Sequence, residues 1–336
     1  MDPGLILAIA LALGFAATNG LHDASNSIAT LVATRAATPL QAIILATIFN
    51  LLGPLLLGAA VADTIAGIVT VSDADTVAVI GCGLVAAVGW NLFTWRLALP
   101  SSSSHALVGG LVGAALLQGG VDAVNWGGFD GVHPVGVFGT LAVLAISPVL
   151  GALAAFLLIR GLRRAGRRAT RRWDSITGNG QWVTSAALSF SHGANDAQKS
   201  VGLVVALLLA GGEIDSLTPP SWVIPACAAA LTFGTALGGW RIIKTVGRRI
   251  YRIESVDGLA SQSSSAAVIF SASLIGAPTS TTQVVASSVV GIGAGRGRTH
   301  HVHWAIVRAM AIAWVTTLPA AALIAMAVFG VVQWLS

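Results

Sequence analysis

The sequence predicts an all-α polytopic membrane protein made of two inverted-topology repeats, with broken or re-entrant helices meeting at the bilayer midplane. Three observations carry that expectation. Of 336 residues, 55% are hydrophobic and only 9% are charged, with a mean hydropathy of +0.83. A soluble domain carries roughly 25% charged residues, so this chain has more apolar surface than a water-exposed fold can hide. The second observation is a polar motif that occurs twice inside apolar stretches, as Gly20-Leu21-His22-Asp23-Ala24-Ser25-Asn26-Ser27 and as Gly193-Ala194-Asn195-Asp196-Ala197-Gln198-Lys199-Ser200. The third is a hydroxyl-rich motif, also duplicated: Pro100-Ser101-Ser102-Ser103-Ser104-His105 and Pro278-Thr279-Ser280-Thr281-Thr282-Gln283.

Taken in order, the apolar segments of the first half fall at roughly 3–36, 39–61, 77–95, 100–118 and 136–159. Those of the second half fall at roughly 181–212, 222–240, 258–276, 278–295 and 304–334. The opening Met1-Asp2-Pro3-Gly4 has no basic region, and its apolar stretch runs into the polar motif without a cleavage site, so segment 3–36 is expected to be a retained span. Whether it and segment 181–212 are each one bent helix or a helix plus a re-entrant piece is open at this point. The domain organisation that follows is a first repeat over 1–159, a basic linker over 160–178 and a second repeat over 179–336.

Charge sets the sides. Arg160, Arg163, Arg164, Arg167, Arg168, Arg171 and Arg172 form one basic run, and Arg241, Lys244, Arg248, Arg249 and Arg252 a second. The excess of arginine and lysine on the cytoplasmic side of membrane proteins places both runs inside, in a multi-pass protein of the cell membrane. The pI near 10.2 is thereby explained by orientation, and no nucleic-acid partner is expected. Segment 3–36 then runs from outside to Arg35 inside, whereas 181–212 runs from inside to Glu213 outside, so the halves are antiparallel. Inverted repeats of this kind are a transporter architecture, with the substrate and coupling ion held near the midplane.

The duplicated motifs supply the chemistry. Proline and a hydroxyl run just before an apolar helical pattern read as a helix N-terminus. Free N–H groups, the positive end of the helix dipole and side-chain hydroxyls together suit a tetrahedral anion, with Ser103, Ser104, Ser280, Thr281 and Thr282 as donors. The plainer reading is that these residues only cap helices or bond to their own backbone. Asp23 and Asp196 occupy equivalent positions, as do His22 and Asn195, and Asn26 and Lys199. Carboxylate and amide oxygens are hard ligands for sodium, and an intramembrane carboxylate also carries protons.

GLHDASNS, SHGANDAQKS, PSSSSH and PTSTTQ, in that order, closely resemble the inorganic phosphate transporter (PiT) family, over about residues 5–330. The resemblance implies a phosphate site formed by the hydroxyl motifs together with Asn195 and the other Asn/Asp motif residues, and a homodimer. It also sets a departure. Sodium-coupled members keep Asn before Asp, and Asn three places after it, in both copies; here the first copy has His22 and the second Lys199. Histidine titrates near neutral pH, and a fixed ammonium can replace a second bound cation. Both changes resemble the bacterial proton-coupled low-affinity branch, so proton symport is expected, with His22, Asp23, Asn26, Asp196 and Lys199 handling the ion. If sodium is used instead, Asp23, Asn26, Asn195 and Asp196 would hold it.

The remaining features point elsewhere. Cys82 and Cys227 sit in separate apolar runs without ligand spacing, so neither a disulfide nor a metal site is indicated, and no cofactor is expected. His300, His301 and His303 read as a solvated loop, and Gly53, Gly58, Gly109, Gly113, Gly291 and Gly295 as close helix packing. A sulfate permease of the same fold is the nearest alternative. An intramembrane hydrolase using His192 and Asp196 is the distant one, since symmetric duplicates do not make one asymmetric set of nucleophile, base and oxyanion hole. No nucleotide-binding GxxxxGK[ST] run occurs, so transport would be driven by an ion gradient.

Overall fold

The computed structural model describes residues 2–70, 73–166, 171–238 and 250–335. Within these the chain is helical: α1 (Pro3–Ala33), α2 (Pro39–Leu57), α3 (Ala60–Ala66), α4 (Asp73–Arg96), α5 (Ser103–Gly119), α6 (Gly136–Ala165), α7 (Arg171–Ala210), α8 (Val223–Leu237), α9 (Ser255–Leu274), α10 (Thr281–Gly295) and α11 (Trp304–Leu335). A small antiparallel hairpin, β1 (Gly128–Asp130) with β2 (His133–Val135), precedes α6. Among the described residues six helices are long and apolar enough to cross a membrane: α1, α2, the greater part of α4, α5 with the turn after it, α6 and α11. Of the two basic runs, Arg167, Arg168, Arg241, Lys244, Arg248 and Arg249 lie outside the described residues.

Local sequence explains where the helices begin. Asp2 accepts from the Gly4 N–H, and Pro3 occupies the first turn of α1, where a missing N–H costs nothing. Thr38 and Gln41 close a capping box ahead of Pro39 at the start of α2. The question left open by the sequence is answered by continuity: α1 and α7 run unbroken through both polar motifs. The helix interruptions lie instead at the hydroxyl motifs, in the turns 97–102 between α4 and α5 and 275–280 between α9 and α10. Ser101, Ser102, Thr279 and Ser280 are buried there, so non-helical backbone is enclosed by protein rather than lipid.

Two apolar clusters bracket a polar layer. One gathers Phe15, Ile68, Leu107 and Val201; the other gathers Ile28, Ile159, Leu188 and Ile292. Along α1 the chain passes from the first cluster through His22–Asn26 to the second. Along α7 it passes from the second through His192–Lys199 to the first, so the motif helices run in opposite directions.

Helix packing is reciprocal. α1 lies on α8 while α7 lies on α2, and α5 lies on α11 while α10 lies on α6. Gly20 faces the Leu231 carbonyl so closely that an added Cβ would fall 1.9 Å from the oxygen; at Gly193 the corresponding distance, to the Asn50 carbonyl, is 2.3 Å. The contacts return in kind, with Gly234 against the Ala17 carbonyl and Gly53 against the Phe190 carbonyl. Only glycine permits such backbone approach. Gly109, Gly113, Gly291 and Gly295 likewise face the backbone of a neighbouring helix, but Gly58 does not. It ends α2 at φ +84° with open space about its Cα, so its role is a turn rather than the helix packing expected from its spacing.

Candidate functional site

The two polar motifs and the two hydroxyl turns meet in the enclosed layer between the apolar clusters. Asp23 is the hub. Thr282 Oγ1 donates to its Oδ1 at 2.7 Å, Ser103 Oγ to its Oδ2 at 3.2 Å and Thr281 Oγ1 to the same Oδ2 at 3.4 Å. Thr281 Oγ1 also lies 3.3 Å from Asp196 Oδ2, so one hydroxyl links the carboxylates of the two motif copies. Asn26 Nδ2 donates to Thr282 and Thr281 at 3.0 and 3.3 Å, leaving its Oδ1 unpartnered among the described residues. All these side chains are buried.

The second copy centres on Lys199. Its Nζ donates to Asp196 Oδ1 at 2.5 Å, to Ser104 Oγ at 2.7 Å and to the Thr279 carbonyl at 2.7 Å. Ser104 passes its own proton to the same Thr279 carbonyl at 2.9 Å. An ammonium with three short oxygen contacts is fully compensated, which is the condition for burying it. Asn195 faces the other way and ties down the α9–α10 turn: Nδ2 donates to Ser273 Oγ and the Ala277 carbonyl, and Oδ1 accepts from the Thr279 backbone and hydroxyl. The Ser280 hydroxyl is buried without a partner among the described residues.

Each aspartate has its own histidine. His22 Nδ1 lies 2.9 Å from Asp23 Oδ1, and its Nε2 lies 3.3 Å from both Thr94 Oγ1 and Ser101 Oγ. His192 Nε2 lies 3.0 Å from Asp196 Oδ2 across one helical turn, and its Nδ1 lies 3.0 Å from Asn50 Oδ1. One ligand atom each of Asp23, His192 and Asp196 falls within 4.8 Å of the others, a set able to hold a cation. The site-forming residues outside the motifs are Thr94 and Asn50, while within them the backbone carbonyl of Thr279 joins its side-chain neighbours. Thr94 and Asn50 are polar residues in largely apolar stretches, which is the sequence signal they carry. His192 enters the sequence reading as half of a hydrolase-like pair, whereas here it faces the motif aspartate as His22 does in the other copy, through a different ring nitrogen and from a non-equivalent position.

At the arginine-rich end of the molecule, Arg296 lies 2.7 Å from Glu254 and 2.7 Å from the buried Asp257. The hydrogen bond from Arg296 holds the Glu254 carboxyl below its usual range. The rings of His300 and His301 meet at a tilt of 41° with centroids 4.2 Å apart, and the described residues there bring no carboxylate or cysteine into a metal-binding group with them.

Comparison with known proteins identifies the family and the fold. The model of the phosphate transporter family matches residues 19–177 and 164–325. A protein of Rhizobium meliloti named "Probable low-affinity inorganic phosphate transporter" is 39% identical over 324 residues, covering 96% of this chain and 94% of its own length. One of the same name from Bacillus subtilis is 38% identical over 340 residues, covering 96% of each. A Mycobacterium tuberculosis H37Rv relative, also so named, is 39% identical over 333 residues, covering 98% of this chain and 78% of its own. Among solved structures, "The sodium-dependent phosphate transporter" superposes with a TM-score of 0.86 at 24% identity over all of both chains, a likeness of fold.

Proposed function

Because the chain belongs to the phosphate transporter family, we propose that it imports inorganic phosphate across the cell membrane by proton symport and alternating access. It is a membrane transporter and not an enzyme. The finer reading rests on the place of Lys199. Its ammonium sits among Asp196 Oδ1, Ser104 Oγ and the Thr279 carbonyl, three oxygens of the kind a bound cation would use. A tethered cation there takes over the charge that a second sodium would bring. Asn195 Oδ1 is engaged by the α9–α10 turn, so it is withdrawn from any sodium site shared with Asp23, Asn26 and Asp196.

Hydrogen-bond accounting supports a proton at the site. Thr235 gives its hydroxyl proton to the Leu231 carbonyl, so Asn50 donates to Thr235 and turns its own carbonyl toward His192 Nδ1. Nδ1 is then placed to donate to that carbonyl. Nε2 faces Asp196 Oδ2 at 3.0 Å without a hydrogen bond among the described residues, a gap that an incoming proton would bridge. His22 stands beside Asp23 among the ion-handling groups, with Nδ1 against Asp23 Oδ1 and the hydroxyls of Thr94 and Ser101 beside Nε2.

For the anion, the hydroxyls of Ser103, Thr281 and Thr282 are the donors. They point at the Asp23 carboxylate and rotate to phosphate oxygens when Asp23 is protonated or shifts, with Ser104 and the free Ser280 hydroxyl beside them. Two carboxylates in the site accept a hydrogen bond from a phosphate hydroxyl. Sulfate, fully ionised at neutral pH, has no such proton and is repelled. Alternating access follows from reading 1–159 and 179–336 as inverted repeats joined by the linker 160–178, a reading supported by the opposed motif helices and the reciprocal packing. The linker arginines face the cytoplasm on this reading, and the protein is a homodimer, as the family resemblance implies. Uptake of radiolabelled phosphate into proteoliposomes tests the substrate: unlabelled phosphate competes and sulfate at the same concentration does not. Equal competition by sulfate rejects the phosphate assignment.

A further inference from the structure

The cytoplasmic-type end of α6 carries a feature that transport does not use. A cavity of about 320 Å³ is lined by Arg160, Arg163, Arg164 and Gly295. None of the three arginines has a carboxylate within 4.0 Å among the described residues, in contrast to Arg296 and Arg298 nearby, which pair with Glu254. Arg163 donates to the Arg296 carbonyl at 3.5 Å, and Arg160 lies 4.3 Å above the Phe156 ring. Among the described residues the cavity is therefore positive and has no compensating carboxylate.

What lies below it identifies the ligand class. Leu150, Leu153 and Leu157 are 47%, 51% and 58% exposed, and with Arg160 and Arg164 they recur at alternating spacings of three and four residues. They form one stripe of α6 that is apolar along the span and cationic at its end. An acyl chain fits the leucines while a phosphodiester meets the guanidinium groups, which bind such oxyanions bidentately. We infer that Arg160, Arg163 and Arg164 form a binding site for the headgroup of an anionic phospholipid whose acyl chain lies along Leu150, Leu153 and Leu157. Free phosphate shares the headgroup chemistry but has no use for the leucine stripe.

Purified full-length protein in mixed vesicles of phosphatidylglycerol and phosphatidylcholine, solubilised and weighed by native mass spectrometry, tests this. The wild type retains phosphatidylglycerol in preference to phosphatidylcholine. Arg160→Gln with Arg164→Gln lowers that preference by roughly fivefold per arginine, while Arg308→Gln, on the exposed surface of α11, leaves it unchanged. Phosphate binding at the transport site verifies that each variant is folded. Should the double variant fail to fold, the wild type decides alone: its preference falls steeply as salt is raised, because headgroup pairing is screened. An unchanged preference in the folded double variant, or a wild-type preference indifferent to salt, overturns the proposal. Loss of bound phosphatidylglycerol on adding inorganic phosphate would assign the pocket to the free ion. A double variant that becomes monomeric with its lipid preference intact would assign this face to a second copy of the chain.

Discussion

The Lys199 ammonium lies 2.5 Å from Asp196 Oδ1 on the same face of α7, with both groups shut off from solvent. Because the pair is buried, its members do not contribute separately. Lys199→Met removes the ammonium from the buried Asp196 carboxylate, leaving it only His192 and the Thr281 hydroxyl among the described residues, and should destabilise the protein by about 3–5 kcal/mol, read as a loss of thermal stability in detergent. Adding Asp196→Asn to that variant should restore most of the stability without restoring uptake. A single Lys199→Met variant as stable as wild type would show that the ion pair is not formed in the membrane.

Asp23→Asn and Asp196→Asn should each abolish phosphate uptake while the protein remains folded. The neutral amide keeps the shape but removes the charge and one of the two acceptor oxygens that gather Ser103, Thr281 and Thr282 around Asp23, and at Asp196 the charge that faces His192 and Lys199. Initial uptake rates in proteoliposomes measure this. More than about half of wild-type transport in both variants would remove the aspartates from ion handling.

Hydrogen bonds to a charged group are worth about 1.5–3 kcal/mol. Thr281→Ala should therefore weaken phosphate binding at least tenfold by titration calorimetry. Thr281 is the sharper test than Ser104, whose hydroxyl is already engaged by Lys199 and the Thr279 carbonyl. Unchanged affinity would reduce the hydroxyl turn to a helix cap.

Gly20→Ala and Gly193→Ala test the reciprocal packing. Each places a methyl within 2.3 Å or less of a carbonyl on the facing helix, Leu231 or Asn50. Both should cost stability by about 1–3 kcal/mol through forced helix separation, and by similar amounts if the halves are equivalent. A large effect at one and none at the other contradicts that equivalence.

The four motifs and the two hairpin turns were legible in the sequence because a polar residue in an apolar run is costly and so stands out. That they share one site, with Asp23, Asp196, Thr281 and Thr282 as neighbours, is implied by the family resemblance rather than by the motifs' polarity. The continuity of α1 and α7 was not legible, since the motif glycines at 20 and 193 read equally well as helix breaks; the structure shows that they serve close approach to Leu231 and Asn50 instead. Nor did the sequence reveal that Asn195 braces the α9–α10 turn, or that Asn50 fixes the ring of His192, because both depend on contacts between helices distant in the chain.

On the proposed mechanism, the tethered ammonium of Lys199 and a proton taken up beside His192 and Asp196 do the work of bound sodium. The most direct measurement is initial phosphate uptake by wild-type proteoliposomes in sodium-free buffer under an imposed inward proton gradient, repeated with a sodium gradient at equal pH. Uptake should follow the proton gradient, gain nothing from sodium, and lose its response to pH in His192→Gln. Uptake that requires sodium and ignores the proton gradient would contradict the account.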